Sequence, residues 1–382
     1  MISVSVVALM LSAAPEPPVM ADSSQPAWPG TVLPGVFPQA GYLDMAVNLF
    51  GDHISRFPEG QDSYGEFRLL RAETGLLVGY GPWARGEVRL EAIRSAGAQS
   101  LFGVDQNSMV LRVKRAWTGL GLNFSGFRVE VQGGMVFDPW VEAVQSGYDY
   151  RGISALITER GEFYDAADLG AKLMFSGWGG LLEVALGFAN GEGRNQVEQN
   201  HGKNITGVVT IRPWMPMLFG QPAALGIVLA ARDGSLGAGS VRNNRYSAAL
   251  TFRSARVHGG VEYAFADGYL GRAARTSDGL GLWAGGTLFG GWFGLFARYD
   301  RINLDYGLDD AVHMRITSGV YTDPIAAMVR GMAPGFARLH LLYERETFGD
   351  GAGAIAGAGD ISNEHRFMVR LDLNFNFRLW RQ

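Results

Sequence analysis

The last stretch of the chain, residues 363–380, alternates between apolar and polar side chains. Its apolar positions run from Phe367 to Leu379, and its polar positions run from Arg366 to Arg378. A repeat of two residues is the pattern of a β-strand, because neighbouring side chains of a strand point to opposite faces. A strand of a soluble protein usually has about five or six residues, whereas a lipid-spanning strand needs about 9–11. The pattern therefore predicts a transmembrane strand.

The same alternation recurs along the rest of the chain. It predicts an all-β fold, a transmembrane antiparallel β-barrel of about sixteen strands, in which long external loops alternate with short periplasmic turns. An even strand number is expected of a single-chain bacterial barrel. The predicted strands are residues 42–50, 66–80, 84–94, 109–117, 126–136, 168–176, 181–189, 204–213, 223–231, 245–253, 256–265, 279–289, 292–300, 312–321, 338–344 and 363–380.

Three connections between these strands are distinctive. Residues 51–63 are polar and are predicted to form a loop. Residues 137–165 are the longest break in the pattern and form the third external loop. A connection of this length in a compact domain is usually functional, and we expect it to narrow the channel. Residues 322–336 are too many for a periplasmic turn, so strand pairing could slip by two strands at this point.

Composition narrows the possible classes of protein. The chain contains 54 glycines, 12% aromatic and 18% charged residues, and its net charge is −4. This charge is too small to indicate a nucleic-acid partner, and no basic arm or zinc-ligand spacing is present. The absence of cysteine excludes disulfides, thiolate catalysis and cysteine-based metal sites. The sequence has no run of 18 or more apolar residues, so a membrane-spanning helix is not expected.

The N-terminal region differs from the rest of the chain. Residues 1–14 contain an apolar run followed by small residues and resemble a secretory signal peptide, although the usual positive charge is missing. A disordered apolar tail is the alternative. Residues 15–38 are rich in proline, serine and glycine and are predicted to be a linker. The barrel is expected to occupy residues 39–382.

Tryptophans provide a separate indication of membrane orientation. Six of them lie at or beside strand ends that are predicted to be periplasmic, as expected of an aromatic girdle at the membrane interface. These are Trp83, Trp117, Trp178, Trp214, Trp292 and Trp380.

Basic side chains predominate at the predicted inward positions of the strands. Charges that line a pore set its ion preference, so this excess predicts a preference for anions. The alternative is that most of these charges pair across strands. An error of one residue in register would also turn a strand inside out. The predicted pore-lining residues are Arg89, Arg112, Lys114, Arg128, Arg298, Arg315, Arg338, Arg370 and Arg378. Those predicted in the constriction loop are Arg151, Glu159, Arg160 and Glu162.

Catalytic patterns are weak in this sequence. Its six histidines show no HExxH spacing. His340 and Glu344 share a strand face, but an ion pair in the lumen is a better interpretation than a catalytic dyad. We therefore expect no enzyme activity, no metal site and no cofactor.

Several short segments resemble the phosphate-selective porin O/P family. They are residues 111–121 (LRVKRAWTGLG), 168–173 (DLGAKL), 188–193 (FANGEG) and 296–300 (FARYD). The resemblance implies a sixteen-stranded, usually trimeric porin whose third loop folds inward. In that family, phosphate selectivity depends on clustered lysines and arginines. The third loop here has no lysine, and its only arginines are Arg151 and Arg160. The resemblance therefore supports a general porin function better than it supports phosphate specificity.

The sequence therefore predicts a porin of the bacterial outer membrane. We expect passive diffusion of small anionic or neutral hydrophilic solutes, with a weak preference for anions that extends to phosphate only through the family resemblance. The expected partners are outer-membrane lipid and lipopolysaccharide, and the resemblance implies a homotrimer. The alternatives are a plugged or structural barrel without general pore activity, a barrel hydrolase, and a soluble all-β secreted protein.

Overall fold

The chain forms a closed antiparallel β-barrel of sixteen strands. The computed structural model describes residues 41–94, 109–194, 201–218, 220–237, 239–288, 292–323, 335–352 and 363–381. The predicted signal peptide and linker, residues 1–14 and 15–38, lie outside these ranges. The barrel closes where the first strand pairs with the last, with Leu49 opposite Leu373. The prediction of a sixteen-stranded barrel is therefore confirmed.

The barrel strands follow one another in the sheet in chain order. They are β1 (Gly41–Pro58), β2 (Tyr64–Tyr80), β3 (Ala84–Arg94), β4 (Met109–Phe124), β5 (Phe127–Phe137), β6 (Ala167–Gly177), β7 (Leu182–Ala189), β8 (Asn204–Trp214), β9 (Ala224–Asp233), β10 (Asn244–Arg253), β11 (Val257–Asp267), β12 (Thr276–Leu288), β13 (Phe293–Asn303), β14 (Val312–Thr322), β15 (Gly335–Phe348) and β16 (Glu364–Arg381). The end of the barrel at which β1 begins and β16 ends is called the turn end, and the opposite end is called the loop end.

Helices and small hairpins occur only in the connections of the described chain. The α-helices are α1 (Pro139–Gln145) and α2 (Ile157–Arg160), and single 3-10 turns occur at Trp178–Gly180, Tyr269–Gly271 and Asp350–Ala352. Two short antiparallel pairs join Met217–Leu218 to Gln221–Pro222 and Ser235–Leu236 to Val241–Arg242. Among the described residues, no helix is long and apolar enough to cross a membrane.

The two faces of the barrel wall differ in polarity. On β5, Val131 points outward and is 53% exposed, whereas its neighbours Glu130 and Gln132 point inward and are each 2% exposed. An apolar outer face and a polar inner face are the reverse of a soluble protein and typical of a transmembrane barrel. The period of two seen in the sequence therefore has a direct structural cause.

The first strand is longer than its sequence suggests. The prediction of a loop at residues 51–63 is wrong, because β1 continues to Pro58. Asp52 faces the lumen and forms ion pairs with Arg68 and Arg370 at 2.9 and 2.8 Å. A polar lumen accommodates such charged side chains within a strand, so charge alone does not mark the end of a strand in a barrel.

Strand pairing does not slip near the C-terminus. β14 and β15 are direct neighbours, with Thr322 opposite Leu339 and His313 opposite Phe348. The residues between them, 324–334, lie outside the described ranges. The alternative of a two-strand slip is therefore wrong.

Five of the six predicted girdle tryptophans lie on the outer surface at the turn end of the barrel, with exposed fractions of 43–57%. They are Trp83, Trp178, Trp214, Trp292 and Trp380. The prediction for Trp117 is wrong, because its side chain lies inside the barrel and donates a hydrogen bond to Glu87 (3.1 Å). A β-bulge at Lys114 shifts the alternation of β4 by one residue, since Arg89 pairs with Arg115 and Leu90 with Val113.

A charge on the outer face is expected to destabilise the barrel. Leu229 lies near the centre of β9 and is 52% exposed on the outer wall. We expect Leu229→Arg to lower the free energy of unfolding in lipid vesicles by about 2–4 kcal/mol. Leu308→Arg in the connection between β13 and β14, where Leu308 is 40% exposed, should change it by less than about 0.5 kcal/mol. If urea titrations show that both variants lose the same free energy of unfolding, the assignment of this face of the wall to lipid is contradicted.

Candidate functional site in the barrel lumen

The connection between β5 and β6, residues 138–166, is called L3 and folds into the barrel. Its side chains form an apolar cluster with the inner wall of β8 to β16 and with Ile54 of β1. Trp140, Val141 and Ile157 have no exposed surface. L3 therefore has a hydrophobic core of its own, which covers one side of the lumen.

Helix α1 is fixed at its N-terminus by a buried carboxylate. Asp138 Oδ1 accepts hydrogen bonds from the backbone N–H groups of Trp140 (2.9 Å) and Val141 (3.2 Å), as expected of an N-cap. Its other oxygen contacts the guanidinium of Arg232 on β9. The Arg232 guanidinium lies 4.4 Å from the ring centre of Tyr164, on the returning arm of L3. One arginine of the wall therefore holds both arms of the loop.

Helix α2 is held by a carboxylate from the wall. Its own first residues provide no side-chain cap, but Glu262 on β11 accepts hydrogen bonds from Ile157 N (2.6 Å) and Thr158 Oγ1 (3.0 Å). Thr158 Oγ1 also accepts a hydrogen bond from Trp140 Nε1 at 3.1 Å, which links α2 to α1. Arg298 lies 3.6 Å from Glu262 and compensates its charge. Glu262 is thus the central anchor of L3.

Arginines of the wall bind the loop at further points. Arg245, Arg253 and Arg370 donate hydrogen bonds to backbone carbonyl groups of L3 at 3.0, 2.8 and 3.1 Å. Arg298 and Arg315 donate to hydroxyl groups of the loop at 2.7 and 2.5 Å. These charge-assisted hydrogen bonds are the strong ones in proteins, so we infer that L3 is a fixed part of the lumen.

The tip of L3 fits a gap in the wall. The ring of Tyr150 packs 4.3 Å from the ring of Phe296 and 6.5 Å from that of Tyr321, measured between centroids. A Cβ atom at Gly285 would lie 1.9 Å from the Tyr150 hydroxyl. Glycine at this position therefore permits the close approach of the loop.

The opposite side of the lumen carries a row of cationic side chains on β2, β3 and β4, which we call the basic wall. Its members are Arg71, Arg89, Arg112, Lys114 and Arg115, and the carboxylates among them are Glu73, Glu87 and Glu91. Five cations thus face three carboxylates. The side chains of Arg71 and Arg112 are each 25% exposed, so solvent in the lumen reaches them.

Pairing across strands is extensive on the basic wall. Arg112 lies 2.8 Å from Glu91, Arg89 lies 2.9 Å from Glu87, and Lys114 contacts Glu73. The alternative interpretation of the sequence, that inward charges pair with one another across strands, therefore holds for these residues. Because cations outnumber carboxylates among the described side chains of the basic wall, pairing between them still leaves this set of residues positive.

Sequence reasoning missed Arg115 and gave Glu262 no role. The bulge at Lys114 turns Arg115 inward, where it is 6% exposed and lies 3.2 Å from Glu87. Two adjacent charges in the middle of a strand break the period of two, and this signal could have revealed the bulge. No comparable signal marks Glu262, because the loop residues that donate hydrogen bonds to it, Ile157 and Thr158, are more than 100 residues away in the sequence.

The residues predicted to line the pore separate into groups. Arg89, Arg112 and Lys114 belong to the basic wall. Arg128 pairs with Glu130 at 2.8 Å near the turn end of the barrel. The role of all four in a pore stays a prediction.

The remaining predicted pore residues lie elsewhere. Arg298, Arg315 and Arg370 hold L3, as described above. The Arg338 guanidinium lies 5.1 Å from the ring centre of Tyr321, beside the tip of L3. The side chain of Arg378 lies outside the described part of the chain. Contact with L3 therefore distinguishes Arg298, Arg315 and Arg370 from the arginines of the basic wall.

The four predicted constriction residues all lie on α2 or next to it. Arg151 and Glu159 form an ion pair, with Nη2 and Oε1 2.9 Å apart, and Arg160 lies 3.1 Å from Asp300 on β13. Burial, followed by the nearby charge of Arg315, lowers the pKa of Arg160 to about 10. Glu162 is exposed.

The pair of Arg151 and Glu159 faces the basic wall. Burial alone would raise the pKa of Glu159, but the charge of Arg151 lowers it below its ordinary value, and Lys114 and Arg71 of the basic wall add to this effect. The field of the wall therefore reaches the edge of L3. The narrowest charged part of the lumen is expected between these two surfaces.

The ion pair of Glu159 should make L3 stable except in acid. Because the pKa of Glu159 is lower in the folded protein than its ordinary value of 4.5, its stabilising effect is fully present above that pH and is lost as pH falls through the folded value. We expect the single-channel conductance to be constant near neutral pH and to become noisy only below about pH 4. Glu159→Gln should be noisy at every pH.

Glu162→Gln provides the matched control, because Glu162 is an exposed carboxylate of the same loop. It should behave like the unaltered protein in recordings from pH 7 to pH 3. The same pH dependence in the unaltered protein and in Glu159→Gln would contradict a role for this ion pair.

Comparison with known proteins identifies the fold. No protein-family model and no curated protein matches the chain. An anion-selective porin from Comamonas acidovorans superposes with a TM-score of 0.56 at 13% sequence identity, over 88% of this chain and 100% of that chain. In-vitro folded OmpT, an outer membrane protein of Vibrio cholerae, superposes with a TM-score of 0.53 at 12% identity, over 88% of this chain and 98% of that chain.

An OmpT variant that lacks loop L8 gives similar values, with a TM-score of 0.52, 14% identity, and coverage of 88% of this chain and 99% of that chain. At these identities the likeness establishes a shared fold. The chain thus has the fold of bacterial outer-membrane porins. Its resemblance to the phosphate-selective porin O/P family stays an interpretation of short motifs.

Proposed function

We propose that this protein is a channel of the bacterial outer membrane, through which small hydrophilic solutes diffuse with a weak preference for anions. The observation that carries the proposal is the basic wall, whose five cations and three carboxylates face the edge of L3. A charged surface on a low-dielectric wall concentrates ions of opposite sign. The fold shared with a porin described as anion-selective agrees with this proposal.

The phosphate preference is the weaker part of the proposal. L3 contains no lysine, and Lys114 is the single lysine of the basic wall. Arginine binds carboxylates as readily as phosphates, because its planar fork matches both. A general preference for anions therefore fits these residues better than a dedicated phosphate site.

The remaining assignments follow from the function and from the family resemblance. We propose that residues 1–14 are a signal peptide, that residues 15–38 are a linker, and that the channel is a homotrimer in contact with outer-membrane lipid and lipopolysaccharide. We propose no enzyme activity and no cofactor. Within the described residues, no group of three or more histidine, aspartate or glutamate side chains could hold a metal ion.

A plugged barrel is the second candidate, and the apolar core of L3 favours it, because Trp140, Val144 and Leu156 fill lumen space without exposed surface. Conductance of the refolded protein in KCl and swelling of protein-containing liposomes in a small neutral sugar separate the two candidates. The channel predicts both conductance and swelling. If the correctly folded protein shows neither conductance nor liposome swelling, the plugged barrel is favoured.

A further inference from the structure

The connection after β7 turns into the lumen. Residues 190–194 contain two glycines with left-handed backbone angles, Gly191 (φ 109°) and Gly193 (φ 75°). The N–H of Gly191 donates to Asp168 Oδ2 at 2.6 Å, and the N–H of Gly193 also bonds to this carboxylate. This turn matches the FANGEG segment of the sequence, and the proposed function has so far given it no role.

The turn places an arginine across the lumen. The guanidinium of Arg194 lies 3.6 Å from Glu91 on the basic wall and 3.8 Å from Asp165 at the end of L3. Its side chain is 9% exposed, and its Nε and Nη1 atoms are buried without a hydrogen-bond partner. Unsatisfied buried donors of a charged group are costly. Arg194 thus has donors available for a further acceptor.

Two other guanidinium groups converge on the same place. Arg112 lies 2.8 Å and Arg71 lies 3.5 Å from Glu91, whose side chain has no exposed surface. Three guanidinium groups therefore surround one buried carboxylate, with Asp165 at the edge. Among the described residues, these three guanidinium groups face two carboxylates, Glu91 and Asp165.

We propose that Arg194, Arg71 and Arg112 form a binding subsite for small carboxylate anions, in which a carboxylate of the solute replaces Asp165 as the partner of Arg194. This inference rests on the proposed channel function and specifies its solute class. The guanidinium fork matches a planar carboxylate in two parallel hydrogen bonds. These guanidinium groups already face two protein carboxylates, Glu91 and Asp165, so a carboxylate is the chemical group that their present partners indicate.

Gly193 is required for this arrangement. A Cβ atom at Gly193 would lie 2.1 Å from Asp165 Oδ2, and its positive φ disfavours other residues. Gly193→Ala should therefore displace Arg194 without removing its charge.

The test measures the block of KCl conductance by sodium succinate in planar bilayers. We expect succinate to block the unaltered channel, and we expect Arg194→Gln to raise the half-blocking concentration about tenfold or more. Gly193→Ala should resemble Arg194→Gln. Arg194→Lys should give an intermediate value, because lysine keeps the charge but lacks the fork. Arg242→Gln is the control, since Arg242 is 65% exposed at the loop end of the barrel.

Asp165→Asn separates binding from a structural role. If the solute competes with Asp165 for Arg194, this variant should lower the half-blocking concentration, opposite to the effect of Arg194→Gln. If Arg194 only ties L3 to the basic wall, both variants should weaken the block, and this result would overturn the inference.

Other outcomes distinguish the inference from the proposed function. A protein without KCl conductance would overturn the proposed function and the inference together. Normal conductance with a succinate block that Arg194→Gln leaves unchanged would overturn the inference alone. Inorganic phosphate is the test of the solute class. If phosphate blocks as strongly as succinate, and Arg194→Gln weakens both blocks equally, the assignment of the subsite to carboxylates is overturned.

Discussion

Replacement of Arg71, Arg89 and Arg112 by glutamine is expected to convert the channel from anion preference to cation preference. The basic wall has five cations and three carboxylates, and the triple variant keeps two cations and all three carboxylates. Ion preference follows the sign of the charge that lines the pore. The zero-current potential under a KCl gradient should therefore change sign.

A matched control separates local charge from net charge. The triple variant Arg212→Gln, Arg242→Gln and Arg301→Gln removes the same charge from sites that lie away from the basic wall and whose described ion pairs do not involve L3. Arg212 and Arg301 pair with Glu183 and Asp278 at 2.8 and 3.5 Å, and Arg242 pairs with Asp267. Its potential should stay near that of the unaltered channel. Equal shifts in both triple variants would assign selectivity to net charge instead of the basic wall.

Replacement of Glu262 by alanine is expected to release L3 and widen the lumen. The variant loses the hydrogen bonds to Ile157 and Thr158 and leaves Arg298 without one of its carboxylate partners. Arg298 keeps Asp300 as a partner, whereas the buried donors of Ile157 and Thr158 lose their acceptor, which costs about 1–3 kcal/mol. We expect a larger and noisier single-channel conductance, together with liposome swelling in sugars that the unaltered protein excludes.

Glu262→Gln is the control for this prediction. Its side-chain oxygen can still accept the hydrogen bond from Ile157 N, so L3 should remain closer to its position. Circular dichroism and resistance to proteolysis establish that both variants form the barrel. An unchanged conductance in folded Glu262→Ala would show that L3 does not limit the passage.

The arginines of the lumen are inferred to have two roles. Arg71 on β2 and Arg112 on β4 are partly exposed and are inferred to face the solute. Arg232, Arg253 and Arg370, on β9, β10 and β16, instead bind carboxylate or carbonyl groups of L3. Substitutions in the first group should change ion preference, and substitutions in the second should change conductance and its noise.

The sequence was sufficient to predict the strands, because each has one face in lipid and one in water. This alternation is local, and it located all sixteen strands, although β4 continues to Phe124, beyond its predicted end at residue 117. It underestimated β1, because Asp52 and Arg56 are as acceptable inside a wet lumen as in a loop. It also misplaced Trp117, because a bulge reverses the pattern after Lys114.

The site was less predictable because it depends on contacts between distant parts of the chain. Arg298 and Arg112 look alike in the sequence, since both alternate with apolar residues. Only the packing of L3 separates them, because Arg298 binds Tyr148 of the loop and Arg112 binds Glu91 of the neighbouring strand. The role of Glu262 has the same origin.

The most direct test of the central claim is the zero-current potential of the refolded protein in a planar lipid bilayer under a KCl gradient. The basic wall predicts a measurable conductance and a potential of the anion-selective sign. A cation-selective sign in the unaltered protein would contradict the role of the basic wall, although a channel would remain. An absence of conductance in folded protein would contradict the channel itself.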